Sequence, residues 1–473
     1  MGKAIKIGII GAGSAQFSLG LVKDICLTES LAGSHITFMD IDESRLGVIH
    51  KLGARYAGQL GADLTFAATT EREAALQDAD FVVNTAYVLG HVVEARMRDV
   101  ATEKYGYYHS GSFGAYHQLR LMLDVARDME RICPDAWLIQ SGNPVFDGCT
   151  LMTRETGIKV CGLCHGHYHY EEIARTIGID PAGVTWQAPG VNHNIWLTHF
   201  IYEGEDAYPL IDEWIATRGE EYWRTHVAER THDVQMSRGA VHQYHMFGLF
   251  PIGDTVRHRQ WWWYHTDIAA KKRWFGEPWG GPDTHLARPF FVSQLEERLQ
   301  EYQRWADDPK ADLPQLVGTQ KTHEQQVPIM DGLTNNREGC FQVNVPNRGA
   351  LSGLGDDVVV EVPAIVNQKG IQPLRVGSLP PKIMLECILP DWLEMERELL
   401  AFKTGDRSIQ LFETLNNHQT SSYDAAAALL DELIHLPEVE EAEAWQQEEA
   451  AFAALAGAAF ERIQDAYRYV RPL

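Results

Sequence analysis

The chain has 473 residues, of which 45% are hydrophobic and 22% are charged, and its formal net charge is −24. The composition is typical of a globular protein with a large core, and the length favours two domains. The negative charge argues against nucleic acid and anionic membrane surfaces as partners, because both attract basic patches. Seven scattered cysteines form no disulfide pattern and no apolar run is long enough to span a membrane, so we expect a cytoplasmic protein.

The first 200 residues alternate between strand and helix patterns. A short apolar run predicts a first buried strand, which a glycine turn joins to a helix ending at Cys26. Helical segments then separate five further strand patterns, HITFMDID, DLTFAAT, DADFVVNTAYV, AWLIQSGNP and KVCGLCH, and a hairpin pattern follows at GVTWQAPGVNHNIWLTHFIY. Strands that alternate with helices form a mostly parallel sheet. We therefore predict an α/β fold with a Rossmann-like, doubly wound parallel sheet in a dinucleotide-binding domain, residues 1–200.

From about residue 205 the pattern changes. Trp and His are dense over residues 241–280, two strand patterns follow (FQVNVPN and VVVEVPAIV), and the rest is mainly helical. Residues 437–465 are rich in Glu and Ala and predict an amphipathic helix. We predict a second, mixed α+β domain of the lactate/malate dehydrogenase C-terminal type in residues 201–473, which binds substrate and supports oligomerisation.

A degenerate dinucleotide-binding motif follows the first strand. Its first glycine permits a tight turn, and its second lets the backbone approach a pyrophosphate at the helix N-terminus. Asp40 ends the next strand, where a carboxylate accepts from ribose hydroxyls and repels a 2′-phosphate; this favours NAD over NADP, although Arg45 lies nearby. The alternative is an ordinary tight turn that binds no dinucleotide. The predicted cofactor-binding residues are Gly11, Gly13, Ser14, Ala15, Gln16, Phe17 and Asp40.

Cys161 and Cys164 form a C-x-x-C at the end of an apolar strand. No second pair accompanies it, which argues against structural zinc, and dithiol redox pairs usually open a helix. We interpret Cys161 as a small buried hydrophobe. Cys164 lies beside His165 where an α/β sheet presents catalytic groups, which makes it a candidate metal ligand. His193, between two asparagines, is a candidate second ligand, although a lone histidine is more often structural.

Several segments, taken in their order along the chain, carry a resemblance to a known family. The chain resembles glycoside hydrolase family 4, the NAD- and manganese-dependent glycosidases, over essentially its whole length. The segments are GAGSAQF, SGNP, GLCHG, VNHN, GLFPIGDT, VNVPNRGALSGL and VVVEVPAIVNQKGIQPLRVGSLPP. The resemblance implies that Cys164 and His193 bind Mn²⁺ or another divalent metal, that His165 is a general acid, and that Asn143 contacts substrate.

The resemblance also implies a reaction. Bound NAD oxidises the sugar C3 hydroxyl, a base removes the C2 proton, and the metal stabilises the enediolate. The aglycone then leaves by elimination, water adds, and C3 is reduced again, so that NAD is regenerated.

The C2 base has two candidates. Family members use a Tyr, or an Asp near a GD-x-H pattern, and here GDTVRH offers Asp254 while Tyr244 lies ten residues upstream. We favour Asp254. The sequence has two more residues before His258 than the pattern allows. The alternative is that Asp254 only caps a turn and has no catalytic role.

The Cys-His-Gly sequence at 164–166 resembles the α-glucuronidase subgroup. Arg257, His258 and Arg348 are candidate donors to a carboxylate at sugar C6, unless they form a surface salt-bridge cluster. The predicted substrate is therefore an α-glucuronide, with a galacturonide or a sulfoquinovose glycoside as alternatives of the same mechanism. A homodimer or homotetramer is the family expectation.

Two other classes remain open at this point. A 2-hydroxy acid dehydrogenase shares the sheet architecture but lacks a thiolate metal ligand. A non-catalytic NAD-binding protein would not bring Cys164 and His193 together near Asn143.

Overall fold

The fold is described from a computed structural model, which covers residues 2–15, 17–109, 116–258 and 261–443. The strands are β1 Lys6–Ile10, β2 Ser34–Met39, β3 Leu64–Thr69, β4 Phe81–Asn84, β5 Trp137–Gln140, β6 Lys159–Gly162, β7 Val184–Gln187, β8 Gly190–Val191, β9 Asn194–Leu197, β10 His199–Tyr202, β11 Glu205–Asp206, β12 Phe250–Ile252, β13 Gly339–Pro346, β14 Val359–Asn367 and β15 Gly370–Pro373.

The helices connect and cover these strands. They are α1 Ser18–Cys26, α2 Glu43–Leu60, α3 Arg72–Leu76, α4 Gly90–Tyr105, α5 Tyr116–Ile132, α6 Val145–Glu155, α7 Tyr170–Ile177, α8 Tyr208–Trp214, α9 Glu220–Thr225, α10 Arg238–Phe247, α11 Thr255–His258, α12 Ile268–Phe275, α13 Ala287–Asp307, α14 Leu313–Val317, α15 Gln326–Asn335, α16 Pro381–Ile383, α17 Leu389–Thr404, α18 Arg407–Asn416, α19 Tyr423–Ile434 and α20 Pro437–Glu443. Within the described ranges, no helix is both long enough and apolar enough to span a membrane.

The predicted doubly wound parallel sheet is confirmed. Its first six strands run in the order β3–β2–β1–β4–β5–β6, and every neighbouring pair is parallel. This is the Rossmann order, in which the strand sequence reverses between β1 and β4 and ligands bind beyond the carboxyl ends of the strands. The parallel strands therefore provide a ligand-binding edge that starts at the loop after β1.

The same sheet continues into the C-terminal half. Beyond β6 come β13, β14, β8, β9 and β12, paired antiparallel, with β15 on β14. Strands of both halves thus share one twelve-stranded sheet. The domain boundary at residue 200 stays a prediction.

Apolar side chains cover both faces of the parallel sheet. On one face Ile9 packs with Val22 of α1, and on the other Val82 packs with Met122 of α5. A third buried cluster, around Trp196 of β9, joins residues of α5, α6 and α7 to residues of the C-terminal half. Fully burying one such side chain contributes about 1.5–3 kcal/mol, so the strand edges that carry the site rest on a well-packed base.

Two predicted elements differ in the structure. The predicted hairpin over 183–202 divides into two pairs, because β7 pairs with β10 in a separate three-stranded sheet while β8 and β9 join the main sheet. The strand predicted through Val88 ends at Asn84, and α4 begins at Gly90. Of the predicted helix 437–465, α20 is described, and the part from residue 444 onward lies outside the described residues.

Candidate metal and dinucleotide site

The glycine loop after β1 has no room for side chains. Gly11 adopts a φ of 81°, and a Cβ there would lie 2.5 Å from backbone atoms of Ala86. Its N–H donates to the carbonyl of Met39 at 2.9 Å. The Gly13 N–H donates to Asp40 Oδ2 at 2.7 Å, and a Cβ on Gly13 would lie 2.8 Å from that oxygen. The loop is thus the close-approach turn that a dinucleotide pyrophosphate requires, with Asp40 beside it.

The rest of the predicted cofactor loop leads into α1. The Ser14 N–H donates to the Gly11 carbonyl at 3.2 Å, Ala15 is buried, and Gln16 lies outside the described residues. Phe17 precedes α1, and its ring stacks on His165 with 5.7 Å between centroids. The glycine loop therefore contacts the Cys164–His165 segment directly.

Cys164, His193 and Asp254 converge at one point, and we call them the Cys–His–Asp cluster. Their ligand atoms all lie within 4.8 Å of one another, and His193 Nε2 is 3.1 Å from Asp254 Oδ2. Cys164 follows β6, His193 occupies the β8–β9 turn with a φ of 64°, and Asp254 precedes α11. The structure thus brings together the two predicted metal ligands, a sulfur and a nitrogen donor. It places the carboxylate oxygens of Asp254 beside them.

Backbone contacts hold the three loops in place. The Thr255 hydroxyl donates to the Ile195 carbonyl at 3.0 Å and accepts from the Ile195 N–H at 2.8 Å, which joins the Asp254 loop to β9. The Gly253 N–H donates to Gln235 Oε1 at 2.7 Å. A Cβ on Gly253 would lie only 2.5 Å from Gly166 Cα, so the loops carrying Asp254 and Cys164 touch through glycine backbone.

The charges around the cluster differ between its members. Burial alone would raise the pKa of Asp254, but Arg257, whose Nη2 lies 2.7 Å from Asp254 Oδ1, holds that pKa well below its usual range. Burial raises the pKa of the Cys164 thiol, and the nearby Glu361 and Asp254 carboxylates raise it further. Without a cation the thiol is therefore protonated, whereas a bound metal ion would deprotonate it.

His165 lies at the side of the cluster with a carboxylate partner. Its Nδ1 is 3.0 Å from Glu324 Oε1. Burial would lower the pKa of His165, but the hydrogen bond and charge of Glu324 outweigh it and raise that pKa above its usual value. Ser141, Cys164, His165 and Glu324 line one small depression. Asn143 is three residues beyond the end of β5, the strand beside β6, so it lies at the same sheet edge as Cys164.

Arg257 belongs to the site but is already paired. It bridges Asp254 and Asp283, and its Nε is buried with no hydrogen-bond partner among the described residues. Asp283 also lies 3.4 Å from Arg98 Nη1. His258 ends α11, and its side chain lies outside the described part of the structure.

Two predicted site residues lie elsewhere. The Tyr244 hydroxyl donates to Asp212 of α8 at 2.9 Å, because this face of α10 turns toward α8 and away from the Asp254 loop. Arg348 follows β13, which runs antiparallel to β6 with Asn344 opposite Gly162. Four residues further on, Arg348 lies about 13 Å toward the start of β6, at roughly 3.3 Å per residue. It is therefore at the opposite sheet edge from Cys164, and the structure does not bring it together with the other predicted site residues.

Sequence reasoning missed two acidic residues at the site. Glu324 precedes α15 and carries no local signal, because its contact with His165 joins residues far apart in the chain. Glu361 lies on β14 and is 1% exposed. An acid inside the apolar run VVVEVPAIV was a usable signal, because buried carboxylates are rare unless they are paired.

Comparisons with known proteins agree with this architecture. Residues 6–179 match the family 4 glycosyl hydrolase domain, and residues 188–420 match the family 4 glycosyl hydrolase C-terminal domain. An alpha-glucosidase of Erwinia rhapontici is 29% identical over 406 residues, covering 80% of this chain and 86% of the relative. An alpha-galacturonidase of Thermoanaerobacter italicus is 24% identical over 459 residues, covering 91% and 96%.

A solved structure shows the same fold. A 6-phospho-alpha-glucosidase from gut microorganisms, in complex with NAD and Mn²⁺, aligns with a TM-score of 0.71 at 18% identity, covering 92% of this chain and 98% of that one.

Fold and cluster together define an α/β protein of the dinucleotide-binding type with a candidate metal centre. More specifically, the chain belongs to family 4 of the glycosyl hydrolases and is a glycosidase. The family membership overturns both alternatives, the 2-hydroxy acid dehydrogenase and the non-catalytic NAD-binding protein.

Proposed function

We propose that the chain hydrolyses glycosides of a sugar with a carboxylate at C6, α-glucuronides in particular, with NAD and a divalent metal ion such as Mn²⁺ as its cofactors. The convergence of Cys164, His193 and Asp254 within 4.8 Å, beside the glycine loop, carries the metal- and NAD-dependent part of this proposal. Thiolate and imidazole donors fit a divalent transition metal, and the carboxylate beside them adds negative charge to the site. The NAD and Mn²⁺ in the solved relative support the same assignment.

The glycine loop fits the dinucleotide. A Cβ on Gly11 would meet the Ala86 backbone and a Cβ on Gly13 would meet the Asp40 carboxylate, so the turn keeps the bare backbone that a pyrophosphate requires, with Asp40 beside it for ribose hydroxyls. Both Asp40 oxygens accept backbone hydrogen bonds, and each retains a lone pair for a ribose hydroxyl.

The residues then take distinct roles. When bound, NAD supplies a reversible hydride acceptor and the metal supplies a Lewis acid. Cys164 and His193 hold the metal, and Asp254, kept ionised by Arg257, accepts the proton from sugar C2. His165, oriented by Glu324, donates a proton to the departing aglycone oxygen.

One donor of Arg257 supports an anionic sugar. Its Nη atoms pair with Asp254 and Asp283, and its Nε–H has no hydrogen-bond partner among the described residues. A guanidinium is the preferred partner of a carboxylate. Galacturonides carry the same C6 carboxylate. They are the second candidate, because one relative is named an alpha-galacturonidase. A sulfoquinovose glycoside, whose anion is on the same carbon, is the third.

Hydrolysis assays test the proposal. The p-nitrophenyl α-glucuronide, α-galacturonide and α-glucoside and a sulfoquinovose glycoside are compared with and without NAD and Mn²⁺. We expect turnover of an anionic substrate that disappears when NAD is removed; turnover that persists without NAD contradicts the mechanism.

A pair of cysteine variants adds an internal control. Cys164→Ser removes the thiolate ligand and is expected to abolish the metal-dependent rate. Cys161→Ser makes the same change three residues earlier, at a fully buried thiol in β6. Because Cys161 is outside the cluster, we expect it to retain Mn²⁺-dependent activity.

A further inference from the structure

One buried carboxylate lies beside the Cys–His–Asp cluster without a cationic partner. Glu361 of β14 is 1% exposed, and no basic side chain among the described residues pairs with it. Its polar neighbours are the side-chain amides of Asn192, Asn344 and Gln342, and burial raises the pKa of its carboxyl to about 7. A buried carboxylate without a cationic partner is costly, and it is commonly found paired or near a metal ion.

An amide connects Glu361 to the cluster. Asn192 Nδ2 donates to Glu361 Oε2 at 3.0 Å, and the Asn192 side chain lies close enough to the Cys164 thiol to lower its pKa. Asn192 is 5% exposed and precedes His193 in the β8–β9 turn. Glu361 thus orients an amide that contacts one candidate ligand and is covalently next to another.

The sheet holds Glu361 firmly in this position. It is opposite Gly190 of β8 on one side and Asn344 of β13 on the other. Gly190 in turn leads into the turn that carries Asn192 and His193. The carboxylate therefore has a fixed position relative to the cluster.

Three acidic groups, Glu361, Cys164 and Asp254, influence one another electrostatically at this point. A divalent cation in the cluster would attract all three. We infer that Glu361 is a positioning residue for the metal: it holds Asn192 beside Cys164 and His193, and a cation bound there would attract its carboxylate. This inference rests on the proposed function, which supplies the metal.

Metal affinity, measured without substrate or turnover, tests the inference. Metal-free protein is titrated with Mn²⁺, and free Mn²⁺ is followed by its electron paramagnetic resonance signal. Glu361→Gln keeps the size but removes the charge, and we expect about 10–100-fold weaker Mn²⁺ binding, the usual effect of losing an outer partner of a metal ligand. Glu361→Asp keeps the charge but draws the carboxylate away from Asn192, so we expect an intermediate loss.

Glu396→Gln is the matched control. Glu396 is also buried, but it pairs with Arg154 at 2.6 Å and not with the cluster. We expect its Mn²⁺ affinity to stay within about twofold of the wild type. Asn192→Ala provides a second test and is expected to weaken Mn²⁺ binding as well. It replaces Glu361→Gln as the decisive variant if that protein does not fold.

The outcomes are separable. A folded Glu361→Gln or Asn192→Ala variant with wild-type Mn²⁺ affinity overturns the inference and leaves the proposed function standing. Wild-type protein that binds no Mn²⁺ overturns the proposed function itself.

Discussion

The contact between Gly253 and Gly166 gives the sharpest prediction, because one extra methyl group tests the approach of two site loops. A Cβ on Gly253 would lie 2.5 Å from Gly166 Cα and 2.6 Å from its carbonyl oxygen, whereas ordinary contacts are 3.4–4 Å. Gly253→Ala must therefore push the Asp254 loop away from the Cys164 loop by about 1 Å. Overpacking of this kind costs about 1–3 kcal/mol. Alanine at a φ of 61° adds about 1 kcal/mol.

The expected loss in the free energy of unfolding is thus about 2–4 kcal/mol. A displacement of roughly 1 Å between catalytic groups can lower the rate by about 100-fold. We expect Gly253→Ala to lower both the urea midpoint and kcat/KM, and to weaken Mn²⁺ binding because Asp254 moves away from Cys164 and His193. Urea unfolding followed by tryptophan fluorescence, and a Mn²⁺ titration, measure the two effects.

Gly166→Ala is the control at the same contact. Its Cβ would lie 3.7 Å from Gly253 Cα, 3.8 Å from the Asp254 nitrogen and 3.9 Å from the Cys164 sulfur, all ordinary contacts. We expect its stability to stay within about 0.5 kcal/mol of the wild type. Equal destabilisation by the two variants, or an unchanged Gly253→Ala protein, would refute this reasoning.

Three further predictions address the base, the acid and the cofactor. Asp254→Asn is expected to lower kcat by at least about 100-fold, the usual contribution of a general base, whereas Tyr244→Phe should stay within about twofold. Glu324→Gln removes the partner that raises the pKa of His165, so this histidine loses its proton at lower pH and the alkaline limb of the rate profile shifts down. Gly11→Ala meets Ala86 backbone and is expected to weaken NAD binding, measured by fluorescence, at least about tenfold.

Each of these has an outcome that contradicts it. A large loss in Tyr244→Phe with an active Asp254→Asn would reverse the assignment of the base. An unchanged pH profile in Glu324→Gln would separate the carboxylate from the acid step. For the cofactor loop, Gly58→Ala in α2 is the control, since nothing lies within 4 Å of its Cβ; if it weakens NAD binding as much as Gly11→Ala, the steric argument is wrong.

Local patterns predicted the parts of this fold that depend on neighbouring residues. The strand–glycine turn–helix beginning at Lys6 and the acid at Asp40 follow from burial periodicity and turn chemistry within about forty residues. Cys164 was placed correctly at a strand end for the same reason. In such segments the backbone and the nearest side chains decide the conformation.

The remaining site depends on contacts between distant parts of the chain. Asp254 meets His193 because Thr255 bonds to β9, and Glu324 meets His165 from a loop before α15. Arg348 shows the reverse case: its residue type suggests an anion partner, but the antiparallel pairing of β13 with β6 places it at the opposite sheet edge from Cys164. No spacing in one sequence reveals register between strands that are nearly 200 residues apart.

The continuous sheet has a consequence for how this enzyme can change. Cys164 comes from the N-terminal half, while His193 and Asp254 come from segments that β14 and β12 tie to the same sheet. A recombination that exchanged residues 188–420, the matched C-terminal domain, would replace His193 and Asp254 together and keep Cys164. Such an exchange would assemble the cluster from residues of two parent proteins.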